Sequence, residues 1–341
     1  MTPSGSPISS NNPNSLPTHN SKYTSLSRLK LSTSSVIKNL KVESLVAGIT
    51  GGVISTLVLH PLDLLKIRFA VNDSRASVVV RPQYPSLREA IRTIYLQEGL
   101  KGFYRGATPN LLGAGLSWGF YFLFYNCIKD MHMARERGEM NAWSHLIAAG
   151  QAGVVTLTLT NPIWVIKTRL CLQYGDIRQL MNSNLPTHKV YSGVMDAFYK
   201  IYKYEGVRGM YRGVIPGLFG VCHGSLQFMV YEEMKKYVNI KKNLPIGTKL
   251  SNTEYVISAA ISKLIAASVT YPYQVVRARL QDQYTVFSGV RDVLKKTWRS
   301  EGLRGFYRGF PAYVIHVTPN IIIVFACYEL ITPSFGKKSR L

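Results

Sequence analysis

The sequence predicts an all-α membrane protein in which six transmembrane helices and three short helices form a bundle with threefold pseudo-symmetry. Two observations favour this fold class. Six stretches of the chain are long and apolar enough to cross a bilayer, and one pair of sequence signals recurs three times in tandem. Because each copy holds two long stretches and one short stretch, three copies account for all of these helices.

Five stretches contain no Asp, Glu, Lys or Arg, and each is close to the roughly 20 residues that a membrane helix needs. They are residues 44–62, 107–128, 142–166, 213–231 and 309–328. A sixth stretch, 255–276, is interrupted only by Lys263. Glycine, serine, threonine and proline recur inside these stretches, as expected for helices that pack against one another in lipid. The mean hydropathy of +0.03 is low for a fully apolar bundle and indicates polar helix ends or a polar cavity.

The chain is strongly basic, with a formal net charge of +23. Such a charge favours a nucleic acid, an anionic membrane surface or an anionic substrate as partner. The basic residues lie in short runs between apolar stretches and form no basic stripe with interleaved aromatics, which argues against a nucleic acid. We find no glycine-rich phosphate loop, nucleophile–base set or metal-ligand spacing, so the sequence predicts neither an enzyme nor a bound cofactor.

The chain divides into a tail and three copies of one unit. Residues 1–42 are rich in Ser, Asn and Pro and contain no acidic residue, which fits a disordered basic tail or a transit peptide. The copies are 43–140, 141–246 and 247–341. The four cysteines lie far apart in or beside apolar stretches, and we expect structural thiols without a disulfide framework.

Two signals define each copy. The first follows a proline and reads PLDLLKIR from Pro61, PIWVIKTR from Pro162 and PYQVVRAR from Pro272. The second reads EGLKGFYRG from Glu98, EGVRGMYRG from Glu205 and EGLRGFYRG from Glu301. A short helical stretch lies between the two signals in each copy, at 86–97, 192–204 and 288–300. Copies in the same orientation are expected to be related by an axis along the membrane normal.

The three prolines predict convergence of three helices at one end of a central cavity. A proline near the end of a span removes a backbone hydrogen bond and bends the helix. The charged residues just beyond each proline would then meet near the axis, where ionisable groups need partners. The residues available for pairing are Asp63, Lys66, Lys167 and Arg277.

A related pattern ends the second span of each copy and predicts a gate at the opposite end of the cavity. An acid and a base three residues later lie on neighbouring helix faces. Around a ring we expect Lys129 to pair with Glu232, and Lys235 to pair with Glu329. Asn126 and Thr332 could close the ring only through a hydrogen bond. Two gates on either side of one cavity are what alternating access requires.

The residues of both signals resemble the mitochondrial carrier family, over residues 43–333. The resemblance implies a monomeric antiporter or uniporter of the mitochondrial inner membrane, with cardiolipin bound on the matrix side. It also names the two ends, which we call the matrix gate (at the prolines) and the cytoplasmic gate. Trp164 stands where most carriers have an acid. A tryptophan at this position resembles the branch of the family that moves folate, FAD, NAD and pyrimidine nucleotides. Stretches beginning at His60, Gly113, Pro216 and Tyr271 look most like folate and FAD carriers.

The chain departs from the family at the matrix gate. Asp63 is the one acid, because Trp164 and Gln274 occupy the other two acid positions. The family's glutamine brace is present only at Gln281, with Ala70 and Cys171 at the equivalent positions. The resemblance therefore implies a weak gate with one ion pair, Asp63 with Lys167, and desolvation offsets much of such a pair's attraction.

The family's substrate contacts carry over to three positions and their neighbours. They are Gly113 and Ala114, Phe219 and Gly220, and His316 and Val317, followed one turn later by Ser117, Trp118, Tyr121, His223 and Gln227. His316 stands where close relatives have arginine, so anion binding there is either lost or pH-dependent. Lys263 takes the place of a small residue and either meets an anion in the cavity or extends away from it.

These residues predict the chemistry of the substrate. The aromatic side chains Trp118, Tyr121, Trp164 and Phe219 either offer faces to a flat ring or face lipid and fill gaps between helices. The cations Lys66, Lys167, Arg277 and Arg279 exceed the nearby acids, which favours an anion. We therefore expect transport of folate or FAD. NAD or a pyrimidine nucleotide is the alternative substrate, and a non-transporting membrane scaffold is the alternative of another class.

Overall fold

The computed structural model is helical throughout its regular structure, over the residues that it describes. These are 42–72, 82, 84–136, 142–175, 186–245, 248, 250–285 and 287–338. The six long helices have 28–30 residues each: α1 (Val42–Val71), α3 (Ala107–Glu136), α4 (Ala142–Cys171), α6 (Val214–Lys241), α7 (Asn252–Gln281) and α9 (Phe310–Lys338). The three short ones are α2 (Leu87–Gly102), α5 (Val194–Met210) and α8 (Val290–Gly305). The predicted tail lies outside the described residues, apart from Val42.

The first helix of each copy is longer than the uncharged stretch that predicts it. Pro61, Pro162 and Pro272 lie inside α1, α4 and α7, and each helix continues for more than two turns beyond its proline. A proline breaks only its own link in the hydrogen-bond ladder. The uncharged stretches end early because the charged residues beyond each proline face neighbouring helices instead of lipid or bulk water.

Each short helix is interrupted near its end at the glycine of the Glu-Gly signal. Gly99, Gly206 and Gly302 have φ of 65°, 65° and 60°, which interrupts the helix before one further turn. With ψ of −168°, −163° and −151°, these residues lie in a region that is almost exclusive to glycine, and a side chain there would cost about 1–3 kcal/mol. The recurrence of the Glu-Gly pair therefore has a backbone cause, which turns the chain toward the second long helix of the copy.

The bundle closes as a ring, because the most extensive interfaces between long helices join different copies. α3 of the first copy packs along α4 of the second, α6 of the second along α7 of the third, and α9 of the third along α1 of the first. The two long helices of one copy touch far less. Each copy therefore has no complete core of its own, and the three copies stabilise one another.

Glycine makes the close approach between copies possible at the matrix end. A Cβ on Gly106 would lie 2.7 Å from the Cys171 sulfur, and a Cβ on Gly309 would lie 2.7 Å from the Lys66 carbonyl oxygen. Gly213 packs in the same way against the third copy. The Tyr-Arg-Gly signal thus ends on a glycine because the first long helix of the next copy lies directly against it.

The outer surface is apolar over the long helices. Four segments are long and apolar enough to cross a membrane: Ala107–Met133, Trp143–Cys171, Val214–Lys241 and Thr253–Gln281. A shorter apolar run covers Phe310–Val324, and only the described residues enter this comparison. Large apolar side chains such as Val58, Phe122 and Phe228 are more than half exposed. So much exposed apolar surface marks contact with lipid, which agrees with six membrane spans and three short helices at one end.

Candidate functional site

One ion pair closes the base of the central cavity at the matrix gate. The Lys167 ammonium donates to the Asp63 carboxylate at 2.5 Å, between α4 and α1. Lys66 lies 3.9 Å from the same carboxylate, and its ammonium is 4.9 Å from the centre of the Tyr313 ring. The pair expected between Asp63 and Lys167 is therefore present, while its role as a gate remains a prediction.

Trp164 and Gln274 occupy the other two acid positions, so the gate cations have different kinds of partner. The Lys167 ammonium lies 5.2 Å from the Trp164 ring, so the indole supports the one ion pair from the side. Arg277 donates to the Asn161 side-chain oxygen at 3.3 Å instead of to an acid. The base is thus held by one strong pair and by contacts of neutral groups.

Gln281 braces the base from below. Its side-chain oxygen accepts from Thr168 at 2.7 Å, and its amide nitrogen donates to the Arg212 carbonyl at 3.3 Å. At the equivalent position in the second copy, the Cys171 thiol donates to the Arg105 carbonyl at 3.3 Å. The brace therefore joins α7 to α4 in one place, as the single glutamine predicts.

A second set of ion pairs lies just beyond the gate and keeps the threefold pattern. Each signature arginine pairs with the glutamate of its own copy: Arg68 with Glu98 at 2.6 Å, Arg169 with Glu205 at 2.5 Å, and Arg279 with Glu301 at 2.8 Å. The three arginine side chains are at most 1% exposed. We call these three pairs the outer ring. Outside the spans, burial works to raise the pKa of Glu205, but the hydrogen bonds and charge of Arg169 outweigh it and hold that pKa below its usual value.

The outer ring also ties each copy to the next one. The Nε of each arginine donates to a backbone carbonyl at the end of the next copy's first helix: Arg68 to Cys171 at 2.9 Å, Arg169 to Gln281 at 3.3 Å, and Arg279 to Ala70 at 3.1 Å. The sequence prediction that counts Arg279 among the cations in excess of nearby acids is therefore wrong. Its charge is neutralised by Glu301, because it points away from the cavity toward α8.

A polar basin of about 260 Å³ lies above the matrix gate. Its lining includes Asp63, Lys66, Lys167, His223, Gln274 and Arg277. Three cationic side chains, Lys66, Lys167 and Arg277, and the imidazole of His223 face one carboxylate there. This excess of basic groups favours an anion in the basin.

A larger groove of about 490 Å³ adjoins the basin between α3, α4 and α6. Ser117, Trp118 and Tyr121 line it from α3, and glycines line it from α4 and α6. Trp164, Tyr273 and Arg277 border both the basin and the groove. The junction therefore places a guanidinium and two aromatic rings between a charged compartment and a largely apolar one.

The predicted contacts divide between these cavities and other surroundings. Gly113 packs against the Trp164 ring, where a Cβ would lie 3.4 Å from the indole, and Gly220 packs against the Tyr273 hydroxyl. Phe219 is 61% exposed, and neither Phe219, Ala114 nor Gln227 lines the basin or the groove. Neighbouring predicted positions have different surroundings because the side chains of adjacent helical residues point about 100° apart.

Val317 corrects a sequence prediction. Its side chain is fully buried against Tyr271, Tyr313 and Ala267 between α9 and α7. No ligand in the cavity can reach it in this packing, so it acts as core and not as a substrate contact. The neighbouring His316 is partly buried and lies close enough to Asp63, Lys66 and Lys263 to interact with them electrostatically.

Lys263 and His223 lie near each other on the α6–α7 side of the bundle. The His223 ring hydrogen-bonds to the Thr270 hydroxyl at 2.7 Å and senses the charge of Lys263. Among the described residues, we find no acid or carbonyl that takes a hydrogen bond from the Lys263 ammonium. Lys263 lines neither the basin nor the groove, and its charge acts on Lys66, His223 and His316.

The cytoplasmic gate is described only in part. Lys129 of α3 and Glu232 of α6 form no ion pair in the described part of the chain. Asn126 is exposed and Lys235 is partly buried, while the side chains of Glu329 and Thr332 lie outside the described residues. The role of these residues as a gate therefore remains a prediction.

Sequence reasoning missed the outer ring and the junction. The outer ring had a signal, since an arginine and a glutamate each recur at fixed places in all three copies and a buried charge needs a partner. The role of Tyr273 had none, because the rotation of α7 cannot be read from one sequence. Within the described residues, no cluster of His, Cys, Asp or Glu is arranged to hold a metal.

Three consecutive segments, residues 39–136, 138–242 and 248–339, match the family described as mitochondrial carrier protein. The chain belongs to the mitochondrial carrier family. Members of this family are membrane transporters and not enzymes, so the six-span bundle is a multi-pass transporter.

The names of individual relatives of this carrier mention several different substrates. It is 38% identical to folate transporter 1, chloroplastic, of Arabidopsis thaliana, over 84% of this chain and 93% of the relative. It is 37% identical to nicotinamide adenine dinucleotide transporter 2, mitochondrial, of the same plant, over 85% of this chain and 78% of the relative. The mitochondrial FAD carrier protein of Saccharomyces cerevisiae is 28% identical over 84% of this chain and 95% of its own length.

Proposed function

We propose that this protein is a carrier of the mitochondrial inner membrane that moves folate or FAD between cytosol and matrix by alternating access. The observation that carries this proposal is the junction of the basin and the groove. A cationic compartment next to an aromatic one suits a ligand with an anionic group and a flat ring. Folates and FAD have both parts.

The volumes of the two cavities agree with such a ligand. Sites for small molecules usually measure about 300–1,000 Å³, and neither the basin of about 260 Å³ nor the groove of about 490 Å³ would hold a large dinucleotide by itself. Because Trp164 borders both, a substrate could span them with its two ends. We also expect a monomer with cardiolipin on the matrix side.

NAD is the second candidate, and the 37% identity to a nicotinamide adenine dinucleotide transporter favours it specifically. NAD also combines flat rings with phosphates, so the cavities accept either substrate class. The chemistry that separates them is charge: FAD and folates carry about two negative charges, while oxidised NAD carries about one. The excess of cations in the basin is better neutralised by the former.

The test is uptake of labelled FAD, a reduced folate, NAD and UTP into liposomes that contain the purified protein. Uptake of FAD or folate, reduced by His223→Ala, supports the proposal. Phe228→Leu on the same helix is the matched control, because Phe228 is 65% exposed and lines neither cavity. Uptake of NAD or UTP alone would reject the proposed substrate and keep the transporter.

A non-transporting scaffold is tested at the cytoplasmic gate. Alternating access requires that Lys235 and Glu329 pair when this gate closes. We expect reversal of either charge to abolish uptake, and exchange of the two charges to restore it. Unchanged uptake in all three variants would favour the scaffold.

A further inference from the structure

Arg277 lies at the cavity base and forms no ion pair with an acid among the described residues. Asp63 pairs with Lys167 across the matrix gate, but the corresponding position opposite Arg277 holds Trp164. Arg277 donates one hydrogen bond to Asn161 at 3.3 Å, and its buried Nε has no hydrogen-bond partner among the described residues. A buried, incompletely paired guanidinium is costly, so a protein keeps one where a ligand completes it.

Glycines of α6 hold this side chain in place. A Cβ on Gly213 would lie 3.1 Å from Arg277 Cγ, and a Cβ on Gly217 would lie 3.4 Å from its guanidinium carbon. A side chain at Gly213 would therefore crowd the arginine, whereas one at Gly217 would reach it at ordinary van der Waals distance. Arg277 thus packs beside these glycines and borders both the basin and the groove.

A tryptophan at position 164 changes the surroundings of Arg277 in two ways. An acid at this position could pair with Arg277 and take up its charge, and the indole cannot. The same indole borders the groove beside Tyr273, where it offers a face for stacking. One substitution in the signal thus frees a cation and supplies a ring next to it.

We propose that Arg277 binds the anionic group of the substrate while the substrate's flat ring lies in the groove against Trp164 and Tyr273. This inference rests on the proposed function and deepens it, since it assigns the two parts of the ligand to named residues. The guanidinium can hold a phosphate or a carboxylate through two parallel hydrogen bonds. Substrate binding would then complete the base of the cavity where an acid is missing.

The experiment compares Trp164→Glu with Trp164→Gln, both alone and combined with Arg277→Gln, in the liposome uptake assay. Both changes remove the indole, but only glutamate can capture Arg277. We expect Arg277→Gln to raise the KM of the transported anion about tenfold or more, and Trp164→Glu to raise it several-fold beyond Trp164→Gln. The difference between Glu and Gln should disappear in the Arg277→Gln background.

Two ligand series identify the group that Arg277 holds. FMN differs from riboflavin by one phosphate and FAD adds an AMP unit to FMN, whereas folic acid differs from pteroic acid by its glutamate. Each compound is tested as an inhibitor of uptake. In wild type, the compounds that carry the additional anionic group should inhibit more strongly, and in Arg277→Gln this difference should disappear. If the flavins become equal competitors in Arg277→Gln, Arg277 holds the phosphate. If folic acid and pteroic acid become equal, it holds the glutamate carboxylates.

Thermal melts of the purified protein in detergent keep the test decisive where transport fails. Wild type should be stabilised by inorganic pyrophosphate or by glutamate, and Arg277→Gln should not. Equal KM values for Trp164→Glu and Trp164→Gln, or an unchanged KM in a stable Arg277→Gln protein, would overturn the inference. Uptake of NAD or UTP by wild type would instead reject the proposed substrate, and the same comparison would then be made with that anion.

Discussion

The outer ring and the matrix gate lie next to each other on the same three helices, yet they keep the threefold symmetry to different degrees. All three ion pairs of the outer ring are present, at 2.5–2.8 Å. At the matrix gate one cross-helix pair remains, between Asp63 and Lys167. Symmetry is complete where the copies hold one another together, and it is broken where the residues face the cavity.

The difference follows from what each set of residues must satisfy. The outer-ring arginines are buried and donate to carbonyls of the next copy, so a change in any one leaves a buried charge and orphaned carbonyls. The gate residues border a basin that can admit water or substrate. A neutral residue there costs little, and an asymmetric substrate benefits from an asymmetric site.

The largest effect is expected from breaking the outer ring. Glu98→Gln removes the partner of Arg68, whose side chain is fully buried, and loss of one partner of a buried pair destabilises a protein by about 3–5 kcal/mol. Thermal unfolding of the purified protein in detergent measures this loss. Lys236→Ala is the control, because the Lys236–Glu233 pair on α6 is exposed and its loss should leave the midpoint unchanged. Equal melting of both variants would refute the structural role of the ring.

Much of this fold follows from the sequence alone, because a threefold recurrence constrains all copies at once. The spans, the short helices and the single gate pair could be expected from the two signals. The partner of Arg68 could not be read from one copy, since Glu98 is 30 residues away and only the folded structure brings the two together. Which side of α9 meets the cavity was also beyond the sequence, and Val317 shows the consequence.

The next effect concerns the backbone at Gly99. Its φ of 65° and ψ of −168° lie in a region that is almost exclusive to glycine, so Gly99→Ala should destabilise the protein by about 1–3 kcal/mol although a Cβ would find open space there. Gly119→Ala on α3 is the matched control, since its Cβ also meets nothing and its backbone is helical. Thermal unfolding should separate the two variants, and equal midpoints would show that the turn can relax.

A smaller effect is expected from restoring symmetry at the matrix gate. Gln274→Glu supplies the missing acid of the third copy, and Lys66 borders the same basin. A new ion pair would stabilise the closed base by about 1 kcal/mol, so the thermal midpoint should rise slightly and the maximal rate of uptake should fall. Gln274→Met, which is similar in size and neutral, is the control. A faster carrier with an unchanged midpoint would mean that the gate does not limit transport.

The smallest effect is expected at Phe219. The family resemblance predicts a substrate contact there, but the ring is 61% exposed and lines neither the basin nor the groove. Phe219→Ala should therefore leave the KM for the transported substrate unchanged within about twofold, a difference of less than 0.5 kcal/mol. Tyr121→Ala on α3 is the comparison, because Tyr121 lines the groove and its loss should raise the KM. If Phe219→Ala raised the KM and Tyr121→Ala did not, the substrate would lie along the face of α6 that carries Phe219, and the break in symmetry at Trp164 would serve the gate alone.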